Sequence, residues 1–184
     1  KPAQLANEGI KKKSMNHFKK LVVAFIFVSS VASAQVFQSR PIPVVDIKDM
    51  NGKTISTSSL NNNGKPMVLD FWATWCKPCV NELTAISEHY EEWQKETGVK
   101  IVAISVDDAR TMANVKPFVN GKGWDYEVYV DPNGDLKRAL NIGAVPYVFL
   151  VNGKGEIVSV KTGYAPGDEH KMYEEIKALT KESN

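Results

Sequence analysis

The only two cysteines of the chain stand two residues apart, in Cys76-Lys77-Pro78-Cys79. Two thiols at this spacing suit thiol–disulfide exchange, in which a thiolate attacks a disulfide through a mixed-disulfide intermediate. The first sulfur takes the client sulfur, and the second displaces it. A disulfide-stapled scaffold would need more cysteines at longer spacings. A structural zinc site needs four ligands. His17 falls in the N-terminal targeting segment, and His89 and His170 read as isolated, so no metal is expected. A haem attachment motif fails because Val80, not His, follows Cys79.

Such a pair has to be positioned. Met67 to Ala73 is a dense apolar run broken by one acid, Asp70, and reads as a strand buried on both faces. After Cys79 the apolar residues Val80, Leu83, Ile86, Tyr90 and Trp93 recur at steps of three and four. They predict one helix that Gly98 ends. Cys76 then sits at a helix N-terminus, where unpaired N–H groups and the helix dipole stabilise a thiolate. Pro78 is tolerated in the first turn. Lys77, between the cysteines, favours the thiolate modestly.

Further along, Val99–Val106 reads as a buried strand and residues 109–120 as a helix whose start Pro117 limits. Glu127–Val130 is a strand, and a short helix is expected at about 135–141. Tyr147–Val151 and Glu156–Lys161 form a hairpin, and a last helix runs over about 168–180. Upstream, Val44–Ile47 and Thr54–Ile55 flank Asn51-Gly52, a hairpin signal. Strands alternating with helices predict an α/β fold with a central mixed sheet covered on both faces, mostly parallel, with the closing hairpin as an antiparallel edge.

Asp70-Phe71-Trp72-Ala73-Thr74-Trp75-Cys76-Lys77-Pro78-Cys79 resembles the active-site stretch of thioredoxins. Extended through Glu82, it resembles the TlpA/ResA-like branch of exported bacterial thioredoxin-fold proteins. Three further features agree: the N-terminal β-hairpin, an extra strand–helix segment near 107–130, and Gly143-Ala144-Val145-Pro146-Tyr147-Val148-Phe149-Leu150. The resemblance spans about residues 41–180. It implies a thioredoxin fold and thiol–disulfide oxidoreductase activity without metal or organic cofactor. Cys76 is then the attacking thiol and Cys79 the resolving one. Val145-Pro146 matches the cis-proline loop facing the disulfide, with the Val145 backbone pairing with an extended client segment. An ordinary trans proline is the reading without the resemblance.

Asp70 matches the buried acid behind the cysteines in thioredoxin itself, a departure from many TlpA/ResA-like chains. Buried, its pKa would rise and it would accept a proton from Cys79; the alternative is a solvated strand-edge residue. Glu82 matches an acid that tunes the pair in the ResA-like branch; the alternative is a surface glutamate near a helix N-terminus. Trp72 is expected in packing and Trp75 at the rim, in reach of substrate. A peroxidase of the same fold would need a peroxidatic cysteine in its own loop. A binding module using the proline groove would keep its role without Cys76.

The chain of 184 residues, 43% hydrophobic and 24% charged, supplies one domain with a core. Its formal charge of +2 is uneven, because six lysines and one glutamate lie within residues 1–34 and leave the remainder net negative. That argues against a nucleic-acid surface. Met15 to Lys20 is a short positive start, Leu21–Val31 an apolar run, and Ala32-Ser33-Ala34 a small-residue cleavage pattern. The organisation expected is therefore an upstream leader over 1–14, a signal peptide over 15–34 and a lead-in over 35–40. The thioredoxin-like domain takes 41–184. An uncleaved anchor is the alternative, though the run falls short of the roughly 20 residues a span takes. The expected setting is the periplasm, where disulfides persist. By resemblance a monomer there takes electrons from a membrane thiol relay and passes them to disulfide-containing client proteins. Oxidase chemistry, with the pair as disulfide donor, is the alternative direction.

Overall fold

A computed structural model of the protein describes residues 38–182. The leader, the signal peptide and residues 35–37 of the lead-in lie outside them. The fold is organised around Met67–Trp72 (β4), whose six side chains are all buried. Side chains alternate along a strand, so β4 feeds both layers. Val68 and Trp72 join a cluster with Leu83, Ile86, Trp93 and Ile176. Leu69 and Phe71 join another with Ile104, Leu136, Leu140 and Phe149. Asp70 points to the same side as Val68 and Trp72.

The elements in chain order are β1 (Arg40–Pro41), β2 (Asp46–Asp49), β3 (Thr54–Ser56), β4, α1 (Lys77–Ser87), α2 (Tyr90–Thr97) and β5 (Lys100–Ser105). They continue with α3 (Val115–Lys122), β6 (Glu127–Val130), α4 (Asp135–Ala139), β7 (Tyr147–Val151), β8 (Glu156–Thr162) and α5 (Asp168–Glu182). They build one mixed sheet in the order β1-β8-β7-β4-β5-β6-β2-β3. β4 runs parallel to β5 and antiparallel to β7, and β5 is parallel to β6; the expected mostly parallel sheet is corrected, because the closing hairpin pairs directly with β4 and both ends of the sheet add antiparallel strands. The hairpin β2–β3 docks antiparallel on β6, so the segment after β5 supplies the strand that seats the N-terminal hairpin.

Four local readings are corrected. The helix after the cysteines is two helices. Thr84 Oγ1 donates to the Val80 carbonyl and Ser87 Oγ to the Thr84 carbonyl, each at 2.6 Å. Such back-bonding bends helices, and at the break the His89 N–H takes the Ile86 carbonyl at 3.0 Å. The apolar stripe passes unbroken through it because Tyr90 and Trp93 still face the core. α2 then ends at Gly98, whose φ of 68° is the left-handed geometry of a helix cap.

The helix expected over 109–120 lies further on. A 3-10 turn over Met112–Asn114 precedes α3, which puts Pro117 in the first turn, where no backbone hydrogen bond is lost. The N-terminal hairpin is also shifted. Asp49 Oδ1 accepts from the N–H groups of Asn51 and Lys53 at 2.8 and 2.9 Å, which draws the first strand forward to Asp46–Asp49. Finally, Arg40, read as the end of a lead-in, pairs with Ile157 on the far edge of the sheet.

Candidate active site

The chain leaves β4 at Trp72 and reaches α1 in four residues. Cys76 is the N-cap of α1, Lys77 its first residue and Pro78 its second. The Cys79 N–H donates to Cys76 Sγ at 3.3 Å, so a backbone group of the first turn faces the attacking sulfur. The two cysteines form a disulfide with Cα atoms 5.3 Å apart, inside the range a disulfide permits. Cys76 keeps 6% exposure and Cys79 none. An incoming disulfide therefore meets Cys76 first. Lys77 and Pro78 are exposed beside it, and Trp75 is 64% exposed. Trp72 is buried, its ring 5.2 Å from that of Trp124 in an edge arrangement.

The Val145–Pro146 peptide bond is cis. Tyr147 pairs with Phe71, so the bond lies at the end of β4 from which the cysteine loop departs. Val145 packs against the cluster that contains Cys76 and Cys79.

Asp70 is wholly buried between Ala103 of β5 and Val148 of β7. Among the described residues neither of its oxygens has a hydrogen-bond partner. Loss of water pushes its carboxyl from the ordinary aspartate range up to about 7. The strand-edge alternative is thereby excluded. Glu82 is also buried, on the inner face of α1, with Oε2 unpartnered, so the surface alternative fails too. Burial pushes its carboxyl up to about 9. The charges of Asp70, Asp168 and Glu169 add to that, and Lys161 opposes it. Near neutral pH Glu82 therefore holds its proton, while Asp70 is poised between carboxylate and carboxylic acid.

Two features escaped the sequence reading. Asp107 is buried beyond the end of β5 and ties down the loop before Cys76. Its Oδ2 accepts from the Thr74 N–H at 2.8 Å and from Ser105 Oγ at 2.7 Å. The available signal was Ser105-Val106-Asp107, polar residues at strand spacing closing an apolar run. Further, His89 and His170 are not isolated, since their rings lie 5.5 Å apart. Among the described residues no group of three or more His, Cys, Asp or Glu is placed to hold a metal ion.

The family model described as AhpC/TSA matches residues 39–160. A thiol–disulfide oxidoreductase ResA of Bacillus thuringiensis is 37% identical over 134 residues, 73% of this chain and 73% of that protein. The ResA of Bacillus subtilis is 35% identical over 117 residues, 64% of this chain; the match spans 63% of that protein's length, under two thirds. A solution structure of an uncharacterized thioredoxin-like protein from Porphyromonas gingivalis superposes with a TM-score of 0.70 at 48% identity. It covers 78% of this chain and 94% of that one. The strand–turn–helix that carries the cysteine pair and the sheet order around it agree with these likenesses: the chain belongs to the AhpC/TSA family and is a thioredoxin-fold relative of the ResA thiol–disulfide oxidoreductases.

Proposed function

We propose that the protein is a periplasmic thiol–disulfide oxidoreductase that reduces disulfides in client proteins. One observation carries the reading: a cysteine pair at a helix N-terminus leaves one sulfur slightly exposed and buries the other on the face of the sheet where Asp70 and Glu82 are also buried. Cys76 thiolate attacks the client disulfide, forming a mixed disulfide and expelling the first client sulfur as thiolate. Cys79 then loses its proton to the Asp70 carboxylate and attacks Cys76 Sγ. The internal disulfide forms and the second client sulfur leaves with its electron pair. The client gains two electrons and the cysteine pair loses two, so the pair itself is the electron carrier and no cofactor takes part.

In this reading Trp75, Lys77 and Pro78 form one wall of the client groove. The backbone of Val145, held by the cis bond to Pro146, pairs with the extended client segment. Glu82 tunes the pair from below. A membrane thiol relay re-reduces the disulfide, because the periplasm is oxidising. The protein works as a monomer on protein clients and not on nucleic acid.

Equilibration of the protein against defined thiol buffers tests the direction. A potential near thioredoxin's roughly −270 mV supports the reductase. A value near the roughly −120 mV of a strong oxidant makes the pair a disulfide donor instead. A pair that does not cycle would leave only a polypeptide-binding role.

A further inference from the structure

Asp70 is sealed inside the fold, but Glu82 is not. A cavity of about 230 Å³ opens to solvent beside Glu82, and Lys161, Asp168 and Lys171 line it. Strand register places this opening relative to Asp70. Asp70 pairs with Val148 and Val148 with Lys161, so the three residues form one row across β4, β7 and β8 on one face of the sheet. With strands about 4.8 Å apart, the Asp70 and Lys161 backbones lie roughly 10 Å apart. Glu82 on α1 packs on that same face, within reach of the charges of both.

Charged and titratable groups face Glu82 from each neighbouring element. Asp70 lies on β4 and Lys161 on β8, while Asp168, Glu169 and Lys171 come from α5. Tyr164 precedes α5 and donates its hydroxyl proton to Glu169 Oε2 at 2.9 Å. Asp168 binds Lys171 Nζ at 2.8 Å at the cavity wall. Lys161 is held by Glu175, Nζ to Oε1 at 2.5 Å. Its charge favours the Glu82 carboxylate.

We propose that this cavity is the proton port of the cysteine site: a proton delivered to Asp70 reaches solvent through Glu82, and Lys161 stabilises the Glu82 carboxylate that forms in passing. The inference rests on the exchange reaction proposed above. In the resolving step Cys79 Sγ–H gives its proton to Asp70. Glu82 releases its own proton to water in the cavity and takes the one held by Asp70, which returns Asp70 to its carboxylate. One proton leaves for each disulfide formed, and no bond other than O–H and S–H bonds changes in the transfer.

The test compares Lys161→Gln and Lys161→Arg in the full chain by two readouts. The first is the Glu82 carboxyl titration in the disulfide form, followed by carbon NMR, which needs no turnover. Lys161→Gln is expected to raise its midpoint by about one unit, and Lys161→Arg to restore it. Glu175→Gln, which frees Lys161 from its partner, is expected to lower it. The second readout is the rate of mixed-disulfide resolution. It is expected to fall several-fold with a larger solvent deuterium effect in Lys161→Gln, and to recover in Lys161→Arg. An unmoved midpoint overturns the role of Lys161, and a moved midpoint with an unchanged resolution rate overturns the port. A wild-type pair that fails to cycle, with the titration behaving as expected, overturns the exchange reaction and the port with it. A wild type that cycles, with a Lys161→Gln resolution rate that is unchanged or is not recovered in Lys161→Arg, overturns only the port.

Discussion

Asp107 Oδ1 accepts a hydrogen bond from Thr74 Oγ1 at 2.6 Å, across 33 residues of sequence. With the bonds to the Thr74 N–H and Ser105 Oγ, the carboxyl pins the loop that delivers Cys76 to the end of β5. Asp107→Ala leaves buried donors unpaired, and a loss of about 3 kcal/mol is expected. Asp107→Asn, which keeps one acceptor, should cost less. Urea unfolding of both variants checks the order. Equal stability for Asp107→Ala and wild type would contradict the pinning role.

The exposures of the two cysteines separate their roles. Cys76→Ser is expected to abolish exchange. Cys79→Ser should still attack but stall, accumulating a mixed disulfide that mass spectrometry detects with a disulfide peptide. The reverse pattern would mean that the buried sulfur is the nucleophile.

Asp70 links pH to stability. Its pKa rises from the model-peptide value of 3.8 to about 7 on folding, so between these values the folded protein binds more protons than the unfolded chain. Stability therefore falls as pH rises through that window and stays low above it. Asp70→Asn removes the penalty. It should stabilise the disulfide form by roughly 2 kcal/mol at pH 8 and by little at pH 4. Thermal unfolding at the two pH values reads the difference, and equal gains at both would exclude titration of Asp70 as the cause.

The two tryptophans near the cysteines should behave oppositely. Trp72 fills the core against Trp124 and Phe118, and Trp72→Ala is expected to cost about 3–5 kcal/mol. Trp75 is exposed, so Trp75→Ala should move stability by less than about 0.5 kcal/mol. Its effect is expected in KM for a protein client with kcat retained. A change in unfolding midpoint without one in KM would place Trp75 outside the client groove.

Much of the site was legible locally. The Cys76–Cys79 spacing, the strand before it and the apolar stripe after it each depend on residues close in sequence. Strand and helix periodicities report such neighbours directly. The stripe could not show the bend after Ser87, because the hydroxyls of Thr84 and Ser87 act on the backbone and leave the apolar spacing intact.

By itself the sequence determined the reactive pair, its place at a helix N-terminus and the succession of strands from β2 to β8. The tertiary structure alone decided what surrounds the pair. Glu82 has the look of a surface residue on an amphipathic helix until α1 is laid on the sheet. Lys161 comes into line with Asp70 only through the register of β4, β7 and β8. Asp107 meets Thr74 only when β5 lies beside β4. The physical reason is common to all three: the field and hydration at a charged group depend on what packs over it, and those neighbours come from distant parts of the chain.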